Sequence, residues 1–300
     1  MSLRTQLSNF VDSAAVASDS MASPHPMSHN PAPAPERERR LKRGARYSHR
    51  VAIRAFAHRG GALHPDLIGH ENTLRAFSHA VDLGYRDLET DVHLSADGRL
   101  IAFHDGVLDR VTDAHGVIAE LPWSAVAQAR IGGSEPIPLL ADLVDALPSQ
   151  VRFNIDLKAP GTAAALNRFI EERGLADRVT VGSFSGRELT AFRRLSDGAV
   201  RTSAYPREVG AYVLSPSARL LRGVRGPVAL QIPHRRGRLV IASPGLIRRA
   251  HANGLEVHVW TIDDPAQMHR LLDDGVDGLM TDRTDILKDV LISRGQWEGS

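Results

Sequence analysis

Four short segments of this 300-residue chain carry side chains able to move protons or hold charge: His58-Arg59, Glu89-Thr90-Asp91, His104-Asp105 and Asp156-Leu157-Lys158. Alternate side chains of an extended strand share a face, so Glu89 and Asp91 point the same way, and so do Asp156 and Lys158. Two carboxylates on an inward face repel each other and lose hydration. A divalent cation removes that conflict; a solvated face never creates it. Three acids with hard oxygen donors and no cysteine suit Mg²⁺ or Ca²⁺ better than Zn²⁺. Taken alone, Asp156 and Lys158 read equally well as a plain ion pair. His58 and His104 are natural proton carriers, because an unperturbed imidazole titrates near pH ~6.5. The chain has 14 histidines, so what singles these two out is position: each stands beside a charged neighbour where an apolar segment stops. Metal ligation is a competing use for both.

Those side chains must be carried by regular elements. Short segments rich in β-formers lie at 51–57, 86–94, 100–103, 151–157, 179–183, 200–204, 228–232, 256–261 and 278–281, with a turn at 95–98. Helical periods lie between them at 73–83, 139–147, 162–173, 186–195, 244–253 and 265–273, with Gly174 and Gly254 as stop signals. This alternation predicts an α/β fold of parallel strands with right-handed crossovers, and its length fits a (β/α)8 TIM barrel. A doubly wound open sheet is the alternative, but the Gly-rich dinucleotide turn is missing. Nine strand candidates are one too many. The 94–100 link is too short for a helical crossover, so either those two strands form a hairpin or one of the nine lies outside the barrel. Residues 106–138 lack a strong period and read as a small insertion after the third strand. Charged groups recur at the ends of the strands, where a parallel barrel places its catalytic residues.

Composition narrows the function classes. No cysteine excludes disulfide scaffolds, thiol nucleophiles and cysteine-ligated metals. No apolar run is long enough for a transmembrane segment. A net charge of +2 is too balanced to point to nucleic acid. The charge is uneven: residues 1–50 carry eight basic and four acidic side chains, a net +4. The Pro-Ala stretch at 31–35 and the basic run at 37–50 read as a disordered tail, either a solvated linker or a contact with an anionic membrane or polymer. Asp12 and Asp19 interrupt any apolar signal core, which favours a cytoplasmic location.

In order along the chain, several motifs resemble the glycerophosphodiester phosphodiesterase family, which shares its barrel with the phosphatidylinositol phospholipases. They are Ala57-His58-Arg59-Gly60-Gly61; His70-Glu71-Asn72-Thr73; Leu88-Glu89-Thr90-Asp91-Val92 with Asp97-Gly98 and His104-Asp105; Leu108-Asp109-Arg110-Val111-Thr112; Asn154-Ile155-Asp156-Leu157-Lys158; Val259-Trp260-Thr261; and Gly275-Val276-Asp277-Gly278-Leu279-Met280-Thr281-Asp282. The resemblance covers about 51–292. It implies a phosphodiesterase barrel over 51–300 that hydrolyses glycerophosphodiesters, a small-molecule substrate, to sn-glycerol 3-phosphate and an alcohol. In that reading Glu89, Asp91 and Asp156 hold one divalent cation, His58 and His104 form the acid/base pair, and Arg59 and Lys158 meet the phosphate. The nucleophile is water or the glycerol 2-hydroxyl, the second by way of a cyclic phosphate.

The chain departs from the family pattern in places. His70 stands for the usual Pro, Asp156 for the commoner Glu, Asp263 for a frequent Asn, and Arg283-Thr284 for Tyr-Pro. Glu71 is expected to contact a substrate hydroxyl or support the site, or simply to charge a helix N-terminus. Asn72 is expected to orient His104 or cap that helix. Trp260 covers the substrate or packs in the core; Phe184 and Gln231 are candidate pocket walls. Two other functions fit the same residues: a lysophospholipase D-like or sphingomyelinase D-like activity, favoured by an apolar mouth near the insertion, and a non-catalytic phosphate-ligand binding protein.

Overall fold

The computed structural model describes residues 53–214 and 226–299; the expected tail at 1–50 lies outside them. Eight parallel strands form the barrel: β1 (Arg54–His58), β2 (Asp87–Leu94), β3 (Arg152–Leu157), β4 (Val179–Gly182), β5 (Arg201–Thr202), β6 (Ala229–Pro233), β7 (Glu256–Trp260) and β8 (Gly278–Thr281). Their hydrogen-bonded order is β5-β4-β3-β2-β1-β8-β7-β6. A parallel bridge between Ser203 and Ala229 closes the ring, with the Ala204 amide donating to the Ala229 carbonyl at 2.9 Å.

A helix follows each strand: α1 (Leu74–Asp82), α2 (Leu140–Ala146), α3 (Thr162–Arg173), α4 (Gly186–Leu195), α5 (Pro206–Leu214), α6 (Pro244–His251), α7 (Pro265–Asp274) and α8 (Thr284–Ser293). Local chemistry sets their ends. Thr73, Ser185, Ser243 and Asp264 each accept an amide hydrogen bond at a helix N-terminus. Pro244 and Pro265 occupy the first turns of α6 and α7, where no amide partner is needed. Gly174, in the left-handed region at φ 62°, ends α3. Helices α5 and α8 were not expected from the sequence. In α5, Gly210 interrupts the apolar stripe; α8 buries Leu287, Val290 and Leu291 at helical spacing, a pattern the sequence does contain.

The ninth strand candidate resolves as a hairpin. Leu100–Ala102 pairs antiparallel with β2, Val92 opposite Ala102 and Leu94 opposite Leu100. It is third in chain order but stands outside the parallel ring. The expected insertion follows it and packs a small core of its own around Phe103, Leu108, Ile118, Val126 and Ile131. The main core fills the space between sheet and helices and includes Phe77, Leu88, Phe153, Leu166, Phe192 and Leu271.

Strand β2 shows how the fold delivers chemistry. All of it is buried except the partly buried Leu94. Leu88 and Val92 join the core under the helices, so the alternate positions, Asp87, Glu89, Asp91 and His93, face the other way. Burying so many polar groups on one strand is costly unless each finds a partner.

Candidate active site

A cavity of about 210 Å³ opens where the parallel strands end, and His58, Arg59, Glu89, Asp91, His104, Asp156, Lys158 and Trp260 all line it. Strand register accounts for much of this convergence. His58 on β1 is level with Glu89 on β2, and Glu89 is level with Asn154 on β3. One pleat higher, Asp91 is level with Asp156, and Asp156 with Gly182. A Cβ at Gly182 would come within 3.1 Å of Ser203 Oγ and 3.8 Å of Asp156 Oδ1, so glycine keeps the cavity floor open there.

His104 arrives by a different route from the one its sequence position suggests. It lies beyond the antiparallel hairpin strand, not at the end of a barrel strand. The hairpin returns the chain along β2, and the Phe103 amide donates to the Asp91 carbonyl at 3.0 Å. That return places His104 on the rim beside the carboxylates.

Each imidazole has an aspartate on its Nδ1. His58 Nδ1 is 2.7 Å from Asp282 Oδ1, and His104 Nδ1 is 2.5 Å from Asp105 Oδ1. A carboxylate only accepts, so Nδ1 carries the proton and Nε2 is left for other partners. His58 Nε2 lies 3.7 Å from Glu89 Oε2. Burial disfavours the His58 imidazolium, but Glu89 and then Asp282 outweigh it and raise its pKa. The sequence left Asp105 and Asp282 without roles. The available signal was their place, one directly after a chosen histidine and the other at the end of the last strand.

The carboxylates and cations interlock. Lys158 Nζ stands between Asp91 Oδ1 at 2.9 Å and Asp156 Oδ2 at 2.6 Å. Arg59 Nε lies 3.3 Å from Asp91 Oδ2 but, fully buried, has no well-aligned hydrogen-bond acceptor. Burial opposes ionisation of Asp91, yet Lys158 and Arg59 hold its pKa low. Burial raises Asp156 despite the adjacent Lys158. Glu89 has least compensation: burial, then Asp91, push it up to about 7.

Asn72 neither caps α1 nor touches His104. Thr73 is the cap, while the Asn72 amide donates to Asp91 Oδ2 at 3.0 Å and its carbonyl accepts from Thr90 Oγ1 at 2.8 Å. It reaches there from the left-handed region, at φ 58°, which Asn tolerates better than most residues. Glu71 is not among the cavity-lining side chains. Its carboxylate is taken by Arg59 at 3.1 Å and by Arg110 at 2.7 and 2.9 Å. Asp263, which stands for a frequent Asn, holds the turn after β8. Its Oδ1 accepts from Thr281 Oγ1 at 2.9 Å and the Asp282 amide at 2.8 Å.

Trp260 lines the cavity and meets Phe184 edge-on, with ring centroids 5.8 Å apart. With Pro206, Val209, Ile232 and Pro233 they make an apolar flank, and Gln231 also lines the cavity. No residue of 106–138 lines the cavity, so the apolar mouth near the insertion that would favour a lipid substrate is not formed there.

Among the described residues, His64, Asp66 and His79 are the three metal-ligating side chains that come within 4.8 Å of one another. They lie on the β1–α1 loop and α1, away from the cavity, and the Asp66 amide already donates to His64 Nδ1 at 3.2 Å. Glu89, Asp91 and Asp156 share the cavity without closing to that spacing. Among the described residues, no helix is long and apolar enough to cross a membrane.

Comparison with known proteins gives a consistent picture. The sequence pattern of the glycerophosphoryl diester phosphodiesterase family matches residues 58–286. A protein of Mycobacterium tuberculosis named "Probable glycerophosphodiester phosphodiesterase 2" is 39% identical over 233 residues, covering 76% of this chain and 88% of the relative. The human protein named lysophospholipase D GDPD1 is 26% identical over 292 residues, covering 82% and 88%. Among solved structures, an Oleispira antarctica phosphodiesterase in complex with the product sn-glycerol-3-phosphate superposes with a TM-score of 0.66 at 21% identity, covering 80% of this chain and 97% of the other.

Proposed function

Because the chain belongs to the glycerophosphoryl diester phosphodiesterase family, and so is a phosphoric diester hydrolase, we propose that it hydrolyses glycerophosphodiesters to sn-glycerol 3-phosphate and an alcohol through the cavity lined by His58 and His104. The observation that carries this reading is the meeting, in one cavity, of two imidazoles, three carboxylates, Arg59 and Lys158. The product named for the Oleispira antarctica structure supports the choice of product.

A phosphodiester is an anion whose charge shifts onto its oxygens as the P–O bond to the alcohol breaks. Arg59 offers a planar fork to two of those oxygens, and Lys158 a point charge to a third. One imidazole takes the proton of the attacking hydroxyl, and the other gives a proton to the departing alkoxide. With Nδ1 of each occupied by an aspartate, Nε2 is the atom that exchanges the proton. The attacking hydroxyl is that of water or of the glycerol C2 position. The internal route is distinguished by a cyclic phosphodiester appearing in phosphorus NMR during turnover.

The donor set fits a hard divalent cation. Glu89 is buried beside Asp91 and pushed up to about 7, because His58, Lys158 and Arg59 do not offset its burial and its carboxylate neighbour. Glu89, Asp91 and Asp156 would hold the ion, Mg²⁺ or Ca²⁺, which when bound supplies further positive charge for the phosphoryl oxygens.

The test is release of sn-glycerol 3-phosphate from glycerophosphocholine, with Mg²⁺, Ca²⁺, Mn²⁺ and chelator in parallel. Activity should vanish in chelator and in Glu89→Ala. Full activity in either removes the cation from the reading, and undiminished turnover in both His58→Ala and His104→Ala removes the site.

A second substrate class is favoured by one observation, the apolar flank of Phe184, Pro206, Val209, Ile232, Pro233 and Trp260, with the name of the human relative beside it. An acyl chain would lie there. Faster turnover of lysophosphatidylcholine than of glycerophosphocholine, lost in Phe184→Ala and Trp260→Ala, selects this lysophospholipase D-like reading.

A further inference from the structure

Arg110, which the proposed reaction does not use, is the central member of an ionic chain that reaches two residues it does use. It lies in the insertion, its side chain about half exposed at 46%, yet four hydrogen bonds hold its guanidinium. Nε donates to Asp105 Oδ2 at 2.5 Å and Nη2 to Asp105 Oδ1 at 3.2 Å. On the other side, Nη1 donates to Glu71 Oε2 at 2.9 Å and Nη2 to Glu71 Oε1 at 2.7 Å. Each of these carboxylates has a second partner in the site. Asp105 holds His104 Nδ1 at 2.5 Å, and Glu71 holds Arg59 Nη1 at 3.1 Å. The chain thus runs His104–Asp105–Arg110–Glu71–Arg59 and joins two cavity-lining side chains.

Residue type matters at the centre. A guanidinium has five donors in one plane and can serve two carboxylates at once; an ammonium on a flexible stem cannot hold both in fixed directions. The insertion supplies the anchor. The Leu108 amide donates to the Gly116 carbonyl at 3.0 Å, and Thr112 Oγ1 donates to the Leu108 carbonyl at 2.7 Å. Leu108 itself is buried in the insertion's core. His104 follows the hairpin return; His93 Nε2 on β2 holds its backbone carbonyl at 3.0 Å, but its side chain is 31% exposed and Asp105 is the hydrogen-bond partner of its imidazole. Without Arg110, Asp105 would be free to turn toward solvent and take the His104 imidazole with it.

We propose that Arg110 is a positioning residue for the hydrolysis: through Asp105 it fixes the orientation of the His104 imidazole, and Glu71 braces it from the opposite side. This rests on His104 being one of the two proton-transfer groups. The insertion thereby acts on the chemistry without lining the cavity. The Asp105 carboxyl, held down to about 2 chiefly by its Arg110 hydrogen bonds, stays an acceptor throughout the working range.

The experiment measures kcat, KM and thermal midpoint on glycerophosphocholine for the full chain and for His104→Ala, Arg110→Met, Arg110→Lys, Asp105→Asn and the Arg110→Met/Asp105→Asn double variant. Displacing a proton-transfer group costs kcat about 10-fold or more while substrate binding changes less. Arg110→Met should show that loss with a thermal midpoint close to wild type, and Arg110→Lys an intermediate kcat. The double variant should be no slower than Asp105→Asn alone, because the two residues act as one unit. A kcat within about 2-fold of wild type in both Arg110 variants overturns the proposal, as does a double variant whose loss is the product of the single losses. His104→Ala separates the two levels of the argument. If it keeps activity, the role given to His104 is wrong. If it loses activity while the Arg110 variants do not, only the positioning role is wrong.

Discussion

Asp282 accepts the Nδ1 proton of His58 at 2.7 Å, and the acid that holds it is in turn held. Asp263 Oδ1 takes the Asp282 amide and the Thr281 hydroxyl, so the turn after β8 points its carboxylate at β1. A histidine so held keeps one tautomer, with Nε2 left on the Glu89 side, 3.7 Å from Oε2. Asp282→Asn keeps the shape but can present its amide to Nδ1 and turn the tautomer around. Activity on glycerophosphocholine should fall by about 10²- to 10⁴-fold with little change in thermal midpoint. Retention of most activity would mean that the orientation of His58 comes from elsewhere.

With Glu89 as a ligand of the proposed cation, binding should depend on pH. Burial and Asp91 raise its carboxyl to about 7, so below that value the ligand is protonated and must lose its proton to bind. Cation affinity should therefore rise with pH and level off above neutrality. At pH 6 it should be about 10-fold weaker than its limit, with proton release on binding. Calorimetric titration in buffers of different ionisation enthalpy measures both quantities. Glu89→Gln should bind more weakly and lose the pH dependence.

At the opposite end of β2, Asp87 is a stability residue. Its side chain, 4% exposed, pairs with Arg54 and with Arg152, the latter through bonds of 2.9 and 2.6 Å. Burial opposes its charge, but the Arg152 hydrogen bonds and Arg54 hold the pKa below 3.8. A depressed carboxyl pKa stabilises the fold at pH values above the unfolded pKa and ceases to do so as pH falls through the folded one. Asp87→Ala should cost about 2–3 kcal/mol at neutral pH, less than a fully buried pair because Arg152 is half exposed. Asp87→Asn should flatten the acid side of the stability curve, read by urea unfolding from pH 3 to 7. The cavity, which β2 first lines at Glu89 two positions on, should keep its activity in whatever fraction stays folded.

Gly60 follows the Arg59 that is to meet the phosphate, and it holds φ +86°. A Cβ there would lie 2.7 Å from Ala76 Cβ and 2.9 Å from the Ala76 carbonyl carbon, both in α1. The strain and the clash act together, so Gly60→Ala should lower stability by about 2 kcal/mol or more. It should also shift Arg59 and raise KM for the diester. An unchanged melting curve would show that the β1–α1 loop can relocate at no cost.

Much of this protein is written in local patterns. Alternation along 86–94 sends Glu89 and Asp91 to one face and Leu88 and Val92 to the other, because successive side chains of a strand oppose each other. Ser243-Pro244 and Asp264-Pro265 start helices, and Gly174 stops one, through hydrogen-bonding groups carried within a few residues. The sequence by itself therefore determined the strand–helix rhythm, the barrel, and the polarity of the strand ends where the site lies. It did not determine which groups would meet. His58 and Asp282 are 224 positions apart, and their contact depends on β1 and β8 becoming neighbours in register. The hairpin made His104 a neighbour of β2, and the folding of the insertion carried Arg110 between Asp105 and Glu71. Side-chain period is a property of the strand alone. A charge partner is chosen by register, closure and loop packing, and those exist only once the whole barrel has formed.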